Sequence, residues 1–154
     1  MPNYKGHLAG GLIAYFIVLY FIIAAQSISL ATGFEWLLFT LAGALFPDVD
    51  IKSKGQKIFY CVMLLLMLVL LYHNQTQTLV IVALLAMVPL LVRHRGIFHK
   101  LGFVLLIPLI IGILLCAQAP HCSRVIMHDV LFFIAGAISH LWLDFGFLRM
   151  LGLR

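Results

Sequence analysis

Arg93-His94-Arg95-Gly96-Ile97-Phe98-His99-Lys100 stands between two runs without a charged residue, 79–92 and 101–117, and its reading decides what kind of chain this is. A basic, histidine-bearing octet between two such runs is a loop at a membrane edge, with a bilayer-dwelling helix on either side. The rest of the chain agrees. Of its 154 residues 64% are hydrophobic and 10% charged, and its mean hydropathy is +1.15, far from the balance of a soluble domain.

Outward from the octet, the apolar runs 8–28, 34–46, 58–72, 79–92, 101–117 and 125–148 predict an all-α, polytopic membrane protein of about six transmembrane or membrane-embedded segments. Residues 1–154 form one membrane-embedded domain, with no soluble domain left over. The first run is too long for a signal peptide and shows no small-residue cleavage motif near Gln26-Ser27, so it is expected to remain as a helix. Gly10, Gly11 and Ala14 on it would let other helices approach closely. The second run, at thirteen residues, is short for a straight span, although a start a few residues earlier would lengthen it, and it stops at Pro47. Trp36 and Trp142 suit interfacial anchors. Cys61, Cys116 and Cys122 have neither metal-type spacing nor a disulfide pattern.

Each full span carries the chain to the opposite face, so counting crossings places the polar residues. His7 starts on one face; after two, four and six spans Asp48 with Asp50, His94 with His99, and His140 with Asp144 all return to it. Nine of the ten basic residues share that face, leaving Arg124 opposite. The excess of lysine and arginine predicts that this face, with both termini and the site, is cytoplasmic. The net charge of +5 is spread over membrane-flanking loops, which fits anionic headgroups and gives no stripe for direct nucleic acid binding.

His140 and Asp144 lie four apart, one turn along one helix face, a spacing that suits a shared cation or a structural hydrogen bond. Ser139 is placed to orient either. Asp48 and Asp50 can point to one side only in turn geometry; His94 and His99 converge only if the chain turns at Gly96. Together His7, Asp48, Asp50, His94, His99, His140 and Asp144 offer four imidazoles and three carboxylates, the ligands of zinc or manganese sites. Seven ligands exceed one tetrahedral ion, so two divalent ions, Zn2+ or Mn2+, are expected. Such a centre activates water and clamps a phosphoryl group. Arg95, whose planar fork suits phosphate, is assigned to catalysis with Asp50 and His99. His73, His121, His128, Asp129 and Glu35 are assigned no chemistry.

His7 with its following glycines, Phe46-Pro47-Asp48-Val49-Asp50 with Ser53, His94-Arg95-Gly96-Ile97-Phe98-His99 and Ser139-His140-Leu141-Trp142-Leu143-Asp144 resemble the motifs of a family of bacterial inner-membrane-associated metal-dependent hydrolases, one member of which is described as LexA-binding. Phe98 and Lys100 stand where that family usually has Thr and Ser. The family is distantly similar to zinc-dependent phospholipase C and the single-strand nucleases, which implies phosphoester hydrolysis. The resemblance covers nearly the whole chain.

The expected function is therefore hydrolysis of a phosphoester in a lipid or lipid-linked substrate, at a dinuclear centre near headgroup depth. Two rivals stand beside it: a divalent-metal carrier, and a non-catalytic docking protein for a cytoplasmic regulator, as the LexA association implies. The carrier would want a midplane site and an acidic path that the third to fifth segments do not provide. The docking protein would want larger loops.

Overall fold

The computed structural model describes residues 3–24, 27–91 and 97–146, and all regular structure among them is helical. Six α-helices follow in order: α1 (Tyr4–Ile23), α2 (Leu30–Leu45), α3 (Lys54–Tyr72), α4 (Thr76–Leu91), α5 (Leu101–Gln118) and α6 (Ser123–Phe145). Short 3-10 helices lie at Phe46–Asp50, Ile97–His99 and Pro120–Cys122.

Polar caps, rather than the edges of apolar runs, set where α1, α2 and α3 begin. The Asn3 side chain accepts from the backbone N–H groups of Lys5 and Gly6, so α1 starts before His7 and carries it in its first turn. Ser29 caps α2 through Thr32 N–H, four residues ahead of the expected start. Ser53 caps α3 through Gln56 N–H and draws Lys54 and Lys57 into the helix. At the other end of α2, Pro47 ends the α-helical hydrogen bonding as expected but tolerates the first turn of a 3-10 helix, where its missing N–H has no obligation. The short second run thereby becomes a 21-residue span, Leu30–Asp50.

Among the described residues, five helices are long and apolar enough to cross a membrane. The sixth, α4, has 16 residues and is shorter. At 1.5 Å per residue it reaches about 24 Å against about 30 Å of hydrocarbon. Its parity in the fold is nevertheless clear: α3 and α4 pack on each other, and the 3-10 helices ending α2 and preceding α5 meet at one end of the bundle. The α3–α4 hairpin therefore goes out and comes back, as the crossing count requires.

At the centre stands α6, packed on by α1, α2 and α5. Its closest partner is α2, because glycines face backbone at their crossing: a methyl group on Gly136 would strike the Thr40 carbonyl, and one on Gly43 the Phe133 carbonyl. Helix α1 lies in the groove between them, with Gly10 against Leu143 and Gly11 against Ala44, the close approach its small residues predict. Trp36 departs from its expected role. It is 3% exposed and stacks on Phe132 at 4.8 Å between ring centroids, inside a cluster with Tyr15, because the aromatic faces of α2 and α6 meet there. Trp142 is exposed.

A candidate metal centre at the shared helix ends

Asp48 sits on the 3-10 helix after α2, His99 on the one before α5, and His140 and Asp144 on the last turns of α6. One ligand atom from each of these four lies within 4.8 Å of all the others, the one such group among the described residues. His140 Nε2 is 3.6 Å from Asp48 Oδ1 and 3.7 Å from Asp144 Oδ2. His99 Nε2 is 3.6 Å and 3.8 Å from the same two oxygens. These separations are too long for hydrogen bonds. They approach the roughly 3.3 to 3.6 Å that separates donors placed about 2.0 to 2.2 Å from one tetrahedral ion.

Burial sharpens the geometry. The side chains of His140 and Asp144 are fully buried, His99 is nearly so, and Asp48 retains 16% exposure, so the cluster is reached past Asp48. Asp48 Oδ1, His140 Nε2 and both carboxylate oxygens of Asp144 are buried without a hydrogen-bond partner. Buried polar atoms are ordinarily satisfied, and buried charges ordinarily paired. Here they converge on one another instead.

The backbone explains the orientation of His140. Its Nδ1 lies 2.8 Å from the Ala44 carbonyl oxygen. A carbonyl only accepts, so Nδ1 carries a hydrogen and donates it, leaving Nε2 aimed at the two carboxylates. Metal-bound histidines are held in this way by a second partner. That bond exists because Gly43 and Gly136 let α2 and α6 touch, bringing the Ala44 carbonyl to α6. Ser53 holds the Asp48 turn: its hydroxyl donates to the Asp48 carbonyl at 2.9 Å and accepts from Gln56 N–H at 3.0 Å.

Among the other expected ligands, His7 adjoins the group without joining it. Its ring stacks on His140 at 3.8 Å and 15° between planes, and its Nε2 is 3.5 Å from Asp144 Oδ1. Asp50 shares the turn with Asp48 but lies outside the four-residue group. His94 and Arg95 lie outside the described residues. Ser139 orients neither His140 nor Asp144; its hydroxyl donates to the Gly136 carbonyl one turn back at 2.7 Å, the usual resort of a serine within a helix. The Ala44 carbonyl was beyond sequence reasoning, since every residue has one. The glycines that deliver it do leave a signal, small residues at helix-facing spacing.

With an all-helical bundle and a buried histidine–aspartate cluster established, comparison with known proteins places the chain. A family model described as "YdjM inner membrane protein" matches residues 1–147, nearly the whole length. No curated protein and no solved structure matches. The family's description gives a membrane and no reaction.

Proposed function

We propose, for a chain that belongs to the YdjM inner membrane protein family, the function of a membrane-embedded metal-dependent hydrolase acting on a phosphoester of a lipid or lipid-linked substrate. One observation carries the reading: two carboxylates and an imidazole nitrogen, on a ring whose other nitrogen is committed to a carbonyl, point inward at one another, buried and without a hydrogen-bond partner. A divalent cation would satisfy all of these atoms at once.

Asp48, His99, His140 and Asp144 would hold that cation. Four donors of this spacing suit one tetrahedral ion, and Zn2+ takes this N and O set well. A second ion would draw on Asp50 and His94. A divalent ion here supplies positive charge for phosphoryl oxygens and acidifies a water molecule.

The chain's own residues have distinct tasks in this reading. Ala44 fixes the His140 tautomer, and His7 supports the cluster by stacking on the His140 ring. Asp50, outside the donor set but on the Asp48 turn, accepts a proton from the attacking water. Arg95 holds the phosphate. Lys5, Lys52, Lys54, Lys57 and Lys100 flank the same helix ends, which favours an anionic headgroup and, by the positive-inside rule, a cytoplasmic site. A cluster at helix ends, rather than half-way along them, argues against a carrier.

Metal content of detergent-purified protein, measured by mass spectrometry, tests the centre. Bound divalent metal that disappears in the His140→Ala, Asp144→Ala double variant supports it. No metal on the wild type, even after titration with Zn2+ and Mn2+, overturns it. Metal-dependent release from phospholipid substrates, abolished by Asp48→Ala in a protein that still folds, tests the reaction.

A further inference from the structure

A cleft of about 270 Å³ runs between α2, α5 and α6. Both α2 and α5 pack on α6, without an extended contact between α2 and α5, and the gap is walled by Phe39 of α2, Phe46 of the 3-10 helix that follows it, Ile107 and Ile111 of α5, and Val130 and Phe133 of α6. Among the described residues Asp129 is the one ionisable side chain in its wall.

We propose that this cleft seats an acyl chain of an anionic phospholipid whose phosphate lies at the Asp48–His99–His140–Asp144 cluster. The inference rests on the cluster being a phosphoester-hydrolysing centre and names the substrate class it serves. Three observations support it. First, cleft and cluster share a wall: Phe46 directly precedes Pro47-Asp48, and its ring meets Phe98, the neighbour of His99, at 5.4 Å and Phe133 at 5.3 Å. Secondly, the depth is right. From His140 to Ile126 at the far end of the cleft is fourteen residues of α6, about 21 Å. One leaflet provides about 15 Å of hydrocarbon plus the interfacial layer above it. A lipid with its phosphate at the cluster would therefore carry its chain the length of the cleft to Ile126. Thirdly, exposed lysines ring the helix ends at the cluster, with Lys54 held over the Tyr4 ring at 5.2 Å, so the headgroup end is basic where the chain end is apolar.

The test is native mass spectrometry of the full chain in mild detergent after incubation with dioleoyl phosphatidylglycerol. The wild type should retain one lipid mass per chain. Ile111→Trp and Ile107→Trp, which fill the cleft on a face that has room for a larger ring, should lose it. Ile113→Trp, on the outward face of α5, should keep it. Metal content is read on the same samples. Lipid retained without metal would leave the chain site standing and remove the hydrolase reading; metal without lipid would do the reverse. Equal retention by Ile111→Trp and the wild type overturns the proposal. So does a dimer without lipid that Ile111→Trp dissociates, which would assign the cleft to a second copy of the chain.

Discussion

The two ends of this bundle hold similar side chains and put them to different ends. At one, Asp48, His99, His140 and Asp144 converge. At the other, Glu35, His128 and Arg124 line a cavity of about 200 Å³ with Ser29 and Thr32. Each end has acids and imidazole. At the far end, however, His128 places Nδ1 2.6 Å from the carbonyl of Arg124 on its own helix, and its ring lies on Trp36 at 5.1 Å between centroids. That histidine is engaged locally and packed as an aromatic. His140 is engaged across helices, through Ala44, and so presents its second nitrogen to carboxylates from two elements. Residue types alone do not make a site; which backbone group takes the first imidazole nitrogen determines where the second one points.

Disrupting the near end should have the largest effect. Asp144→Ala should abolish stoichiometric metal binding and, with it, any rise in thermal unfolding temperature on adding Zn2+; a ligand at a hundredfold excess over its dissociation constant contributes about 2.7 kcal/mol. Glu35→Ala should leave both unchanged. Equal losses from the two would erase the distinction between the ends.

Gly136→Ala comes next, because the added methyl meets the Thr40 carbonyl rather than a side chain that can move. Separating α2 from α6 should cost about 3 kcal/mol in detergent unfolding and weaken metal uptake as well, since the Ala44 carbonyl withdraws from His140. Wild-type metal binding in this variant would show that the helix crossing does not orient His140.

A smaller loss separates support from ligation. His7→Ala should lower metal affinity about 10- to 100-fold without abolishing it, as removal of a supporting partner does. Complete loss, measured by isothermal titration, would make His7 a direct ligand.

The smallest expected effect is that of Ser53→Ala. Without the α3 cap and the hydroxyl on the Asp48 carbonyl, stability should fall by about 1 kcal/mol with metal stoichiometry retained.

Hydropathy made the helices legible because a bilayer imposes one requirement on every spanning segment, a long apolar stretch with its backbone satisfied internally. It misplaced the starts of α1, α2 and α3, since Asn3, Ser29 and Ser53 cap from outside the apolar runs. It also left the second segment short, since Pro47 continues as a 3-10 turn through Asp50. Of the candidate site, Asp48, His99, His140 and Asp144 were legible through parity: an even number of crossings returns each to one face. Parity says nothing about lateral distance, and it treated Asp50 and His7 as equals of the four that converge.

Composition and the order of polar breaks thus determine a helical membrane bundle with its candidate ligands returned to one end. They do so because transfer of charge into hydrocarbon is costly wherever it occurs in the chain. Which of those residues meet, and which nitrogen faces inward, depends on contacts between residues far apart in sequence. His140 reaches the Ala44 carbonyl across 96 positions, and the two glycines that permit this act through the shape they leave for a neighbouring backbone, a property with no meaning until the helices are packed.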